Sequence, residues 1–201
     1  YSLTQGSFAY KDVTNNVATQ LTLELKQDAN AFEFLLFADA YRLELKGEGV
    51  QPTTMIFSKP LEHLYIKAVK NKQVVRVNIS QADNENESKE FNLDGLPWIQ
   101  NFILLEDIIK EGKKELIYWV FSDRDFSFKK MVLKQRNVET IKLENKEFEA
   151  RRYILNVSGV PGFIWTAQVW FEKDSGRFLL YKGLSGLPGS AKKVFSFVPS
   201  K

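Results

Sequence analysis

The sequence predicts a mainly β protein: a single strongly curved antiparallel meander sheet or half-barrel of about a dozen strands, with one principal apolar helix packed on it. Three observations carry this expectation. Apolar residues recur at period two along most of the 201 residues, short turn-forming stretches separate these runs, and only one segment, near residues 97–111, has helical character. One domain spanning residues 1–201 is the organisation that this length and pattern imply.

The strands follow in order. In residues 17–26, Val17, Leu21, Leu23 and Leu25 share one side with Thr19, while Gln20, Thr22, Glu24 and Lys26 hold the other, as in a half-buried strand. Phe32, Phe34 and Leu36 repeat the pattern, as do Tyr41, Leu43 and Leu45 opposite Arg42 and Glu44. Further strands are expected at residues 64–70, 74–80, 115–121, 127–133, 138–143, 148–157, 163–173, 177–182 and 193–198. Turn chemistry marks several joints: Asn15-Asn16, Asp28-Ala29-Asn30, Lys70-Asn71-Lys72, Glu144-Asn145-Lys146 and Asp174-Ser175-Gly176. Such short joints connect antiparallel neighbours, because a parallel crossover needs a helix between strands. Residues 81–90, QADNENESKE, are the most polar stretch and read as a loop tip.

The helix is expected to open at Pro97, which suits a first turn, and to end at Gly112, which suits a C-terminal cap. Trp98, Ile99, Phe102, Ile103, Leu104, Leu105, Ile108 and Ile109 leave it only a narrow polar edge, so it must be covered on more than one side. Trp98, Phe102, Leu105 and Ile109 form one stripe. That stripe is expected to pack solidly on the concave face of the sheet; the alternative is a lid over an apolar cavity.

Two strands are aromatic on both faces. Trp165 and Trp170 are an odd number of positions apart and so point to opposite sides of one strand. Phe163, Trp165, Ala167, Val169 and Phe171 line one face, and Ile117, Trp119 and Phe121 oppose Leu116, Tyr118 and Val120 in the same way. Central strands with aromatic cross-strand pairs account for this, as do tryptophans that touch a ligand.

Composition removes several chemistries. With 28 Lys plus Arg against 25 Asp plus Glu, the net charge of +3 gives no strong field, and the basic pairs Lys129-Lys130, Arg151-Arg152 and Lys192-Lys193 lie far apart. No nucleic-acid partner is expected. The chain has no cysteine, which excludes thiol catalysis, thiolate metal sites and disulfides. Its single histidine, His63, stands in SKPLEH with no nucleophile elbow and is expected to be structural. Zinc lacks ligands; calcium at Asp83, Glu85 and Glu87 lacks the glycine and spacing of a calcium loop. Asp123 with Asp125, and Glu147 with Glu149, have the spacing to share a strand face and are the pairs a carboxylate-dependent hydrolase would use. The glycine stretches at residues 159–162 and 183–189 match no phosphate-binding pattern and read as turns. No apolar run is long enough for a transmembrane segment. No cofactor and no metal site is expected.

Residues 122–133, then 147–157, then IWTAQVWFEKDSGRFLLYKG resemble the closing meander of an uncharacterised family of exported bacterial β proteins, a domain of unknown function. That family is similar in fold to the periplasmic carriers of outer-membrane lipoproteins, in which a curved half-barrel holds an apolar cavity under helices. The resemblance covers roughly residues 115–182 and carries no catalytic residue. It implies a non-enzymatic exported protein that binds an apolar or lipid-like ligand or an envelope partner. The chain opens at Tyr1 without a methionine or a charged-then-apolar leader, which fits either a removed signal segment or a sequence trimmed to a domain. With the resemblance, the expectation is an exported protein, periplasmic or membrane-anchored through a removed N-terminal segment. The ligand-binding residues expected are Trp98, Phe102, Leu105, Trp119, Trp165 and Trp170. A carboxylate-dependent hydrolase and a purely structural interaction module are the alternatives.

Overall fold

The computed structural model describes residues 6–82, 84–162, 164–184 and 190–199. Its strands form one 14-stranded antiparallel sheet that does not close into a barrel. Eight strands run outward as successive hairpins: β1 (Gly6–Thr14), β2 (Val17–Asp28), β3 (Ala31–Phe37), β4 (Arg42–Glu48), β5 (Gln51–Lys59), β6 (Leu64–Asn71), β7 (Val74–Gln81) and β8 (Asn84–Asn92). Residues 93–114 then cross from the β8 edge to the opposite edge. Six strands return: β9 (Glu115–Ser122), β10 (Ser127–Leu143), β11 (Lys146–Val157), β12 (Ala167–Glu172), β13 (Phe178–Leu184) and β14 (Lys192–Phe197). β14 pairs with β1, Tyr10 opposite Phe197, so the first and last strands sit at the centre of the sheet.

Period-two patterning builds the core because each register places like faces side by side. Leu25, Phe34, Leu45, Met55, Ala68 and Val77 form one unbroken cross-strand row from β2 to β7, and all six are buried. The turns behave as their residues require: Asn15 and Asn16 both take positive φ, as do Ala29, Lys72, Glu144 and Gly176.

The helical segment is shorter than its composition suggests. Phe102–Leu105 is a 3₁₀ turn and α1 spans only Glu106–Lys110. Residues 97–100 are extended instead, because the N–H of Ile99 and the carbonyl of Pro97 pair with the carbonyl and N–H of Trp119 at 2.9 and 2.8 Å. Trp98 therefore lies in a parallel bridge to Trp119 and is not on a helical stripe with Phe102. Asn101 caps the 3₁₀ turn, its Oδ1 accepting from Ile103 N at 3.1 Å.

Other boundaries move for physical reasons. The polar stretch expected as a loop tip is mostly β8, an edge strand held to β7 by backbone pairing with no need of an apolar face. Two expected strands, 127–133 and 138–143, are one: Arg136 is an extra residue in a bulge that shifts the parity of β10. Pro52 hides β5, where it is accommodated at a second bulge opposite Gly47. Residues 164–166 precede β12 in a turn, with Ile164 N donating to Pro161 O at 2.9 Å.

The crossover lies against β11–β13. Arg151 Nη1 donates to Ile109 O at 2.5 Å, and Tyr153 Oη donates to Lys113 O at 2.9 Å. Gly176, at φ +75°, lets the β12–β13 turn press on α1: a Cβ there would fall 2.1 Å from Glu106 O. Where the two sheet edges approach, Phe128 packs edge-on to Phe91, Trp98 and Phe121, with ring centroids 5.2, 5.6 and 5.3 Å away.

Candidate functional site

Between the crossover and the concave face lies a cavity of about 320 Å³, open on one side. Ile99, Gln100, Asn101 and Phe102 of the crossover form one wall. Leu36 and Tyr41 come from the β3–β4 region, Tyr118 and Val120 from β9, and Met131 and Leu155 from β10 and β11. Trp165, Tyr181, Leu184, Lys193 and Phe195 complete the lining. Alternation explains this convergence: Tyr118 opposes Met131 across β9 and β10, and Tyr181 opposes Phe195 across β13 and β14. The lining is mainly apolar with a few polar tips, which is the make-up of a small-molecule site.

Phe102 is half-buried and lies stacked on Phe178 and Tyr181, with centroids 5.5 and 5.7 Å away. Tyr181 Oη donates to Leu184 O at 2.7 Å. Burial pushes the Tyr181 phenol up to about 12. Tyr41 is also pushed up to about 12, by burial first and then by the charges of Asp12 and Asp123. Burial, helped by neighbouring Tyr181, holds Tyr118 far above the ordinary phenol value. All three phenols are therefore neutral around pH 7. Lys193 is matched, because its Nζ lies 2.6 Å from Asp12 Oδ2.

Of the six residues expected to bind a ligand, the structure brings Phe102 and Trp165 to the cavity. Trp98 and Leu105 are fully buried elsewhere; Trp98 Nε1 donates to Gln100 Oε1 at 3.0 Å, and Leu105 belongs to the core. Trp119 lies on the other side of β9 from Tyr118, its Nε1 donating to Leu93 O at 2.7 Å beneath Lys130, whose Nζ is 4.9 Å from the ring. Trp170 faces away from Trp165 and is 4% exposed. Its Nε1 donates to Glu139 Oε1 at 2.6 Å and Lys182 Nζ lies 5.5 Å from its ring. Trp170 is thus covered by polar side chains, and the two indoles are not on one strand, because Trp165 lies in the turn that precedes β12. Tyr118 and Tyr181 were not among the expected contacts; the shared parity of Tyr118 with Val120 on β9, and the place of Tyr181 opposite Val169, were the available signal.

The other constellations do not line the cavity. His63 caps the 3₁₀ turn Pro60–Glu62 at φ 50°, its N–H donating to Pro60 O at 3.1 Å. Asp123 pairs with Lys59 at 2.9 Å, Asp125 with Lys129 at 2.5 Å, and Glu149 with Lys173 at 2.8 Å. Asp83 and the side chain of Glu85 lie outside the described residues, as does most of the 183–189 stretch. No helix of the described residues is long and apolar enough to cross a membrane.

No protein-family model matches the chain, and no curated protein matches it. Among solved structures the chain is similar to a beta-barrel-like protein of a domain of unknown function, DUF1849, from Brucella abortus. The identity is 10%, the TM-score is 0.52, and 96% of each chain is covered. It also aligns with the hypothetical lipoprotein YmcC of Escherichia coli at 8% identity and a TM-score of 0.42, over 100% of this chain and 90% of the other. The first likeness is one of fold. It extends over nearly the whole chain and so is not confined to residues 115–182.

Proposed function

We propose that the protein is a non-enzymatic binding protein that holds an apolar or lipid-like ligand in the cavity beneath its crossover, the whole chain acting as one domain. The observation that carries this reading is the cavity of about 320 Å³ with a mainly apolar lining, bordered by Phe102 and Trp165. That volume is at the lower end of the roughly 300–1,000 Å³ of small-molecule sites and suits a single chain better than a multi-chain lipid. The reading includes an exported protein, periplasmic or membrane-anchored, that shields such a ligand from water.

The test is organic extraction and native mass spectrometry of the purified protein, followed by titration with the neutral apolar dye N-phenyl-1-naphthylamine. A retained lipid, or saturable one-to-one dye binding, is expected. A protein that yields no ligand and takes up no dye would sink the reading.

A further inference from the structure

Among the described residues, Lys193 is the one charged side chain that lines the cavity. Alternation along β14 puts it there, on the face that also carries Phe195 and Phe197. Because β14 pairs with β1 so that Lys193 opposes Thr14 and Phe195 opposes Asp12, a lysine and an aspartate meet diagonally across the two central strands. Lys193 Nζ stands 2.6 Å from Asp12 Oδ2, and Asp12 Oδ1 accepts from Thr14 Oγ1 at 2.9 Å. The Asp12 side chain is only 13% exposed, and it does not border the cavity itself. Asp123, whose charge also reaches Tyr41 in the lining, is matched likewise, by Lys59 at 2.9 Å.

The consequence is electrostatic. An ionised head group that leaves water for an apolar cavity needs an unmatched charge of opposite sign, and without one its lost hydration is not offset. An ammonium and a carboxylate in contact largely cancel for a third charge beside them. An uncharged oxygen fares differently: the ammonium has three N–H donors and Asp12 takes one, so a ligand hydroxyl or ester oxygen can still accept from it. Resting on the cavity's being the ligand site, we propose that Asp12 sets its charge selectivity: paired with Lys193, it makes the cavity take uncharged single-chain lipids with a hydroxyl or ester head and reject fatty-acid anions of the same chain.

The experiment uses the full chain at about pH 8, where dodecanoic acid is ionised. Monododecanoyl glycerol, dodecanoate and dodecyltrimethylammonium are compared, below their micelle-forming concentrations, as displacers of bound N-phenyl-1-naphthylamine. In wild type the glyceride is expected to displace the dye at a roughly tenfold lower concentration than either ion. In Asp12→Asn, which keeps an oxygen for Thr14 but frees the ammonium, dodecanoate gains roughly tenfold, and adding Lys193→Gln removes that gain. Lys193→Gln alone leaves the carboxylate unmatched and shifts preference the other way, toward dodecyltrimethylammonium, which tests the proposal even if Asp12→Asn does not fold. Either ion displacing the dye as well as the glyceride does in wild type overturns the proposal and leaves the binding reading standing. A charge preference that neither substitution moves does the same. Absence of dye binding in wild type removes both.

Discussion

The side-chain amide of Gln100 pairs with both backbone groups of Phe121: Oε1 accepts from the Phe121 N–H and Nε2 donates to its carbonyl, each at 3.0 Å. The same Oε1 also accepts from Trp98 Nε1. Pro97 and Ile99 pair in the same way with Trp119 one step earlier on β9. Because β9 is the last strand of an open sheet, this backbone edge would otherwise be a template for another chain. The crossover thus acts as a partial extra strand, and one amide extends it.

Replacing Gln100 with Leu should strip three groups of their partners at once. With roughly 1–3 kcal/mol for each polar group left buried and unpaired, partly relieved by water, a loss of at least about 2 kcal/mol is expected. Urea unfolding would read it, and light scattering should show association that grows with concentration. An unchanged midpoint in a monodisperse sample would mean that the edge needs no such cap.

Phe102 and Leu105 are neighbours in the crossover with different surroundings. Leu105 is fully buried in the core, so Leu105→Ala should cost about 2–5 kcal/mol. Phe102 borders the cavity, so Phe102→Ala should cost less than the roughly 3–5 kcal/mol of a fully buried phenylalanine and should alter dye uptake. Equal destabilisation by the two, with no change in dye binding, would identify Phe102 as core packing alone.

Glu139 predicts part of the acid limb of stability. The hydrogen bond from Trp170 Nε1 and then that from Asn137 hold its carboxyl below the usual glutamate value of 4.5; burial opposes them more weakly, and the charges of Arg152 and Lys182 add a little to the lowering. A carboxyl depressed in the folded state contributes stability that is fully present above its unfolded pKa and is lost as pH falls through the folded one. Glu139→Gln should therefore flatten the stability profile below about pH 4.5, with Trp170 fluorescence reporting the local change. A variant whose acid profile overlays that of wild type would refute this.

Much of the sheet is legible from sequence because alternation along a strand is a local property. Leu21, Leu23 and Leu25 declare a buried face without reference to anything distant, and Asn15-Asn16 declares its own turn. β8 and β5 are not legible. The first is an edge strand that needs no apolar face, and the second carries Pro52 at a bulge. The parity break at Arg136 made one long strand look like two.

Local pattern in the chain is enough to establish an antiparallel β protein and an apolar segment at residues 98–109 that has to be largely covered. What covers it, and that Trp165 lies in a turn before β12 while Trp170 lies within that strand, depends on the folded arrangement. A chain that spends eight strands reaching one edge and begins its return at the other must cross the sheet, and residues 93–114 make that crossing. Pairing with β9 then competes with helix formation at residues 97–100, and hydrogen bonding to a free strand edge prevails because the alternative leaves that edge unsatisfied. The cavity is a consequence of the same crossing: Phe102, Tyr118, Trp165 and Tyr181 are distant in sequence and meet only when the crossover lies on a curved sheet, a relation that no local period encodes.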